Sequence, residues 1–230
     1  MKILFVATAR SHIGQFHMPF IRELKERGFT VDAAYKDNSA DKPGLDLSDI
    51  DHVYEVPFSR SPYSFSNIKA YFALKKIIEN GDYDAVHCHT PMGAVVTRLA
   101  AKGMRKKGLR VIYTAHGFHF YKGASKKNWL LFYHVEKYLS KFTDALITIN
   151  EEDYTCAKTN GFKAGRLYKI HGVGVDIGRF RPLPAQEKRI LRESFGFSDS
   201  DFLMIYPADF CHRKNQNMLL KAFADIHKKY

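Results

Sequence analysis

Short apolar runs alternate with helix-periodic stretches over the first 171 residues, and this alternation restricts the chain to very few folds. ILFVAT, AVHCH, RVIYTA and ALITI are apolar on both faces or nearly so. A strand of that kind belongs inside a parallel sheet covered by helices on both sides. The pattern predicts strands over 2–8, 29–35, 52–56, 84–88, 110–115, 145–149 and 167–170. Between them it predicts a helix carrying Phe16, Phe20, Ile21 and Leu24, and one capped by Ser66 with Ile68, Phe72, Lys75 and Ile78 at helical spacing. Further helices are predicted over 92–107 and 129–139, and from Glu151 to Gly161. The fold class is therefore α/β, a doubly wound parallel sheet of Rossmann-like type with right-handed crossovers.

Residues 172–184, with Pro182 and Pro184, read as a linker. A helix over 185–195, a strand over 201–207 and a helix over 215–229 then begin a fresh β-α pattern. One strand and one helix cannot bury a core of their own. The expected organisation is a first domain over 1–171, a linker over 172–184 and an incomplete second domain over 185–230, as in a piece of a longer protein.

Ligands of such sheets bind at the carboxyl ends of the strands. The loops after Thr8, Cys88, Ala115 and Ile149 are thus the ones to inspect. Gly14 stands beside Gln15 and His17 at the expected opening of the first helix, where free amides suit phosphate. His116 and Gly117 follow the fifth strand, with His119, Tyr121 and Lys122 further along. His87 and His89 share one face of a strand. Together with His116 and His119 they could ligate a metal, which makes a metal-dependent hydrolase one alternative.

The net charge of +12 admits nucleic acid, an anionic membrane or a phosphorylated small molecule as partner. A basic nucleic-acid-binding module is a second alternative, although no helix-turn-helix, zinc finger or aromatic-basic sheet motif is present. The first loop lacks G-x-G-x-x-G, which argues against a dinucleotide dehydrogenase. Three scattered cysteines give neither a disulfide framework nor zinc spacing. The short apolar N-terminal run cannot span a bilayer. The expected location is the cytoplasm. Lys126, Lys127 and Trp129, on one helix, suit peripheral contact with an anionic membrane at its inner face, although an amphipathic helix covering the sheet explains them as well. Acids in the first turns of helices, Glu136, Glu151, Glu152 and Asp153 among them, are expected to complement helix dipoles.

Several stretches resemble the retaining, two-domain glycosyltransferases of family 4, which have the GT-B fold. They are KILFVATARSHIGQFHMPFIRELKERGFTV, DAVHCHTPMGAVVTRLAA, VIYTAHGFHFYKG with DALITINEEDY, and KIHGVGVDIGRFRP. IYPADFCHRKNQNMLLKAF is similar to the first strand, loop and helix of the donor domain. The likeness is greatest to bacterial members that build capsule or exopolysaccharide. It implies an acceptor-side domain followed by the start of a donor-binding domain, with no cofactor and no bound metal. It also implies a nucleotide-sugar donor, a UDP-sugar, together with a lipid-linked saccharide acceptor and transfer with retention. His116 then takes the catalytic place near the transferring sugar. Gly14, Gln15, His17, His119, Tyr121 and Lys122 take the acceptor side, and Arg213 and Lys214 the donor diphosphate. Two departures stand out. Ala208 and Asp209 occupy places where family members often carry Gly-Arg, and the family's Glu-x7-Glu motif lies beyond residue 230. The resemblance implies that these 230 residues are not competent alone.

Overall fold

The computed structural model describes residues 1–227, with Arg213 described in its backbone alone. Two compact units are present, Met1–Gly174 and Val175–Tyr230.

The first unit is built on a seven-stranded, wholly parallel sheet. Its strands are β1 (Lys2–Ala9), β2 (Thr30–Lys36), β3 (His52–Glu55), β4 (Ala85–His89), β5 (Arg110–Ala115), β6 (Ala145–Thr148) and β7 (Arg166–Lys169). They lie in the order β3-β2-β1-β4-β5-β6-β7. The chain winds outward from β1 to β3, then returns to the other side of β1 with β4. The crevice between the tips of β1 and β4 is therefore the switch point at which doubly wound sheets bind ligands.

Alternate side chains along β1 feed separate cores. Leu4 and Val6 enter a core with Leu74, Val86, Val111 and Phe120. Ile3, Phe5 and Ala7 enter another with Ile13, Ile21 and Val31. The period of two in a strand buried on both faces produces this division.

The helices differ from expectation where apolar residues outnumber buried places. The first helical stretch is two helices, α1 (Arg10–Phe16) and α2 (Met18–Glu26), with Pro19 in the opening turn of α2. Phe20 is exposed. In α3 (Ser66–Asn80) the residue before the helix is Phe65 and Ser66 is its first residue, not its cap. The inward face of α3 is Asn67, Ala70, Leu74 and Ile78, and Ile68 and Phe72 face outward. A stripe drawn one residue off rotates a helix by about 100°, which exchanges those two faces.

After α4 (Pro91–Ala101) comes a 3₁₀ turn, Met104–Lys107. The predicted helix over 129–139 is one continuous helical stretch, α5 (Lys126–Asn128), a π-helical segment at Trp129–Tyr133, and α6 (His134–Ser140). Pi-helical turns widen a helix and often occur at functional sites. The last helix of this unit is α7 (Glu151–Thr159), capped by Asn150.

The second unit contains α8 (Ala185–Ser194), a 3₁₀ turn at His212–Lys214 and α9 (Gln216–His227). The end of the helix expected over 215–229 lies outside the described residues. The strand expected over 201–207 does not form among them. Its residues have no neighbouring strand to complete a ladder, and Phe202 and Ile205 are largely exposed. Apolar, β-branched composition alone does not satisfy a strand's backbone groups.

Candidate active site at the strand tips

Two cavities meet the carboxyl ends of β1, β4 and β5. The first, about 480 Å³, is lined by Thr8, His12, Thr90, Tyr113, His119 and Glu136 among others. The second, about 510 Å³ and mostly apolar, includes Phe5, His17, His87, His89, Thr114 and His116. Both fall in the size range of small-molecule sites. His12 of the first lies against His116 of the second, with Nε2 atoms 3.3 Å apart.

Backbone shape at the tip of β4 brings these groups together. Thr90 has φ 63° and ψ 147°, a conformation rarely adopted by a residue with a Cβ. Its Oγ1 accepts from the Thr8 backbone N–H at 3.1 Å and lies 3.0 Å from Thr8 Oγ1, tying β4 to β1. Gly93 makes the close approach feasible, because a Cβ there would stand 2.7 Å from Thr90 Oγ1 and 3.2 Å from the Thr8 nitrogen. The Thr-Pro-x-Gly spelling of residues 90–93 was the sequence signal for this turn, since proline pushes the residue before it out of the helical region.

The loop after β5 is held by acids of α7. Asp153, buried, accepts from the Phe118 N–H at 3.0 Å and from Asn150 Nδ2 at 2.9 Å. The Glu152 carboxylate accepts from the Lys122 N–H. These two acids thus position the His116–Lys122 loop, a role beyond the dipole complement expected of them. Gly117 gives the loop its turn with φ 116°. His119 packs on Phe132, ring centroids 4.8 Å apart. Tyr121 is half exposed, and its carbonyl accepts from Trp129 Nε1 at 3.3 Å.

Other expected site residues fall elsewhere. Gly14 does not open a helix, because α1 begins at Arg10. A Cβ on Gly14 would meet Leu45 at 3.1 Å, so the residue lies under the 37–50 loop. Arg10 donates to the Leu45 carbonyl, and Asn38 bonds Ser11, pinning that loop on α1. Gln15 is exposed, and neither it nor Gly14 lines either cavity. The four-histidine set His87, His89, His116 and His119 does not assemble. The rings that do converge are His12, His17, His89 and His116, with His87 alongside. In the second unit, Lys214 ends the 3₁₀ turn ahead of α9 rather than opening the helix, and its carbonyl accepts from Tyr206 Oη at 2.7 Å. The side chain of Arg213 lies outside the described residues.

Burial dominates the electrostatics of the histidines. It lowers His12 to about 3, His17 to about 2 and His87 to about 3, neighbouring imidazoles adding to the effect. His89 is lowered as well, and His116 lies below its ordinary value through burial. All are therefore neutral at pH 7.

The first unit also buries an ion pair. Arg98 of α4, 1% exposed, pairs with Glu136 of α6 at 2.9 Å. Its guanidinium also lies 4.3 Å from the centroid of the Tyr113 ring. Glu136 lies in the first turn of α6, as expected of a dipole complement, and is in addition an ion-pair partner on the wall of the first cavity. The usable signal was an arginine four residues after Ala94 on the apolar stripe of α4, a place that requires a buried partner.

Comparison with known proteins fits this arrangement. Residues 2–150 match the family described as Glycosyl transferase 4-like. The chain is 47% identical over 228 residues to EpsD of Bacillus subtilis (strain 168), covering 99% of this chain and 58% of that protein. It is 28% identical over 138 residues to the Escherichia coli UDP-Gal:alpha-D-GlcNAc-diphosphoundecaprenol alpha-1,3-galactosyltransferase, covering 59% of this chain and 35% of that one. The chain thus spans about half the length of the curated relatives it matches. Its fold is similar to that of sucrose-phosphate synthase from Thermosynechococcus elongatus, with a TM-score of 0.69 at 16% identity over 98% of this chain and 60% of that one. A parallel sheet with its crevice at the β1–β4 switch point and a family match over most of the first unit lead to one conclusion: the chain belongs to the Glycosyl transferase 4-like family.

Proposed function

We propose that the chain supplies the acceptor side, and the beginning of the donor side, of an enzyme that moves a sugar from a nucleotide sugar to a lipid-linked saccharide in bacterial surface-polysaccharide synthesis. A UDP-sugar is the proposed donor and retention the proposed outcome. The E. coli relative, named for a UDP-Gal donor and a diphosphoundecaprenol-linked acceptor, supports both substrate classes. The proposed domains are 1–171, 172–184 as linker, and 185–230.

The observation that carries this reading is the position of His116, at the tip of β5 and against His12 from the β1 loop. Breaking the anomeric bond to a diphosphate leaves positive character on the sugar and negative charge on the leaving group. The protein lowers that barrier by aiming donors and cations at the developing charge. A neutral His116 can donate a ring N–H to a sugar hydroxyl without placing a cation beside the oxocarbenium-like ring. Lys214, with Arg213, is proposed to hold the diphosphate. His17, His119, Tyr121 and Lys122 are proposed for the acceptor side, with Gly14 and Gln15 reduced to shaping α1 beneath its covering loop.

The test is full-length enzyme with a panel of UDP-sugars and a lipid-linked acceptor. His116→Ala should lower kcat by about 10²–10³-fold. Turnover within a factor of three of the unaltered enzyme would remove the assignment. Peripheral membrane contact through Lys126, Lys127 and the exposed Leu130 is part of the proposal. Cosedimentation with anionic vesicles should be strong at low salt and lost at high salt, and no cosedimentation at low salt would refute it.

A further inference from the structure

The converging imidazoles are poorly explained by hydrogen bonding. One ring nitrogen from each of His12, His17, His89 and His116 lies within 4.8 Å of every other. Nε2 of His116 faces Nε2 of His12 at 3.3 Å and Nδ1 of His89 at 3.4 Å. An imidazole nitrogen has one in-plane function, a single N–H or a single lone pair. It cannot make two linear hydrogen bonds, so at most one of those contacts is a good one. His17 Nε2 and His89 Nε2 are buried with no hydrogen-bond partner. Unpartnered polar atoms in a core usually mark an unmet ligand or a functional role.

The spacing has a simpler meaning. Zinc binds imidazole at about 2.0–2.1 Å in a tetrahedron, which sets neighbouring nitrogens about 3.3–3.4 Å apart. Both His116 contacts have that length, the one to His89 running to Nδ1, so His89 would ligate through Nδ1 and its unpartnered Nε2 is left unexplained by the ion, whereas His17 Nε2 is free to serve. The four nitrogens lie within 4.8 Å of one another, at most about 1.5 Å beyond that spacing, and His17 and His89, now stacked with ring centroids 3.7 Å apart, must turn away from each other to ligate together. The group includes no carboxylate or thiolate among the described residues. An all-imidazole set suits zinc, copper or nickel rather than calcium or magnesium. It also differs from the His87, His89, His116 and His119 set considered for a hydrolase, and with four protein ligands it leaves no open position for a reacting water.

We propose that His12, His17, His89 and His116 form a closed site for one divalent transition-metal ion, and that filling it takes His116 away from substrate. The first clause stands on geometry alone, and the second rests on the proposed role of His116. The ion would act as an inhibitor rather than a cofactor, because every ligand position is filled by the protein. This departs from the resemblance, which implies no bound metal.

The binding test uses the untagged 230-residue chain, stripped with chelator and titrated with ZnCl₂ by calorimetry, with CoCl₂ as optical probe. The expected result is one equivalent bound tightly and the intense visible absorption of four-coordinate cobalt. His12→Asn, at a partly exposed position, should weaken zinc binding by on the order of 100-fold while the far-UV circular dichroism stays unchanged. His227→Asn, on α9 outside the cluster, should leave binding as it was. Substoichiometric binding by the unaltered chain, or equal affinity in His12→Asn, would overturn the site. Zinc added to full-length enzyme should suppress transfer with the occupancy measured by calorimetry. Binding without suppression would keep the site and remove the substrate role of His116. Loss of transfer in His116→Ala without any zinc binding would do the reverse.

Discussion

The imidazoles of His12, His17, His89 and His116 are all of one kind and all neutral, whereas Arg98 and Glu136 are buried as opposite charges. Both groups sit inside the same unit, and each borders a cavity at the strand tips. Burying a charge in low dielectric is costly, and a protein has two ways around it. Histidine can drop its proton within the physiological range, so desolvation by itself neutralises the cluster. Arginine cannot. It needs an anion in contact, which is the reason α4 and α6 must pack with Glu136 opposite Arg98. The first solution leaves lone pairs free and open to a ligand. The second consumes its charges internally and serves as a fixed strut, apart from Arg98 Nη2, which has no partner.

The largest expected effect comes from breaking the strut. Glu136→Gln leaves the Arg98 cation, 1% exposed, without its counter-charge. The expected loss is about 3–5 kcal/mol of unfolding free energy, read from urea titration. Replacing both partners, as in R98M/E136L, should recover most of it, because well-packed apolar side chains match a buried pair. A loss below about 1 kcal/mol in Glu136→Gln would show that the pair is not sealed from water and would end the contrast with the histidines.

The neutral cluster should respond to pH instead. In chelator-treated protein, His17 and His89 stay unprotonated when folded, His17 down to about pH 2. In the unfolded chain both accept protons below about pH 6.5. The unfolded state then binds more protons than the folded one, so stability is full above that pH and falls as pH drops through the window toward the folded values. Each fully buried histidine contributes up to about 1.4 kcal/mol per pH unit. His17→Phe should flatten the fall between pH 6.5 and 4.5 by about 2 kcal/mol in total. An unchanged slope would mean that the ring is hydrated in the folded state.

Gly93 tests the backbone that brings both groups to the tips. Gly93→Ala puts a methyl 2.7 Å from Thr90 Oγ1, and the Thr90–Thr8 tie must yield. About 1–2 kcal/mol should be lost. Thermal denaturation showing no loss would mean that Thr90 relaxes freely and that its unusual φ is not held by packing.

Much of this architecture is legible in sequence, and the reasons for success and failure are physical. Strands buried on both faces, such as ILFVAT and RVIYTA, announce themselves as near-continuous apolar runs, with Thr8 and Thr114 as buried polar exceptions. The strand tips therefore follow, and with them the neighbourhood of His116. Side chains that meet only in three dimensions are another matter. His12 and His89 are 77 residues apart in sequence, and only the β1–β4 adjacency created by the chain's return brings their loops together. Glu136 is hidden similarly, since it looks like a solvated helix charge until the facing helix is known, whereas Arg98 on the apolar stripe of α4 signals a buried partner without naming it. The apolar run over 201–207 misleads in the opposite sense, because its residues match strand preferences with no sheet to complete.

The smallest effect sharpens the contrast from outside the core. Arg105 and Asp144 form a two-pronged pair, Nε to Oδ2 at 3.0 Å and Nη2 to Oδ1 at 2.7 Å, on a surface where both remain about a quarter exposed. Its geometry is as good as that of the Arg98 pair, but water screens it. Asp144 also accepts from the Val111 backbone N–H at 2.7 Å, so Asp144→Asn alone would mix two losses. A double-mutant cycle with Arg105→Gln and Asp144→Asn separates them. The coupling should be about 0.2–1 kcal/mol and should shrink in 1 M salt. The same salt should leave the loss in Glu136→Gln unchanged, because ions do not reach Arg98. If salt reduced both alike, the distinction between a buried strut and a surface pair would fail, and Arg98 would have to be regarded as solvated despite its position beneath α6.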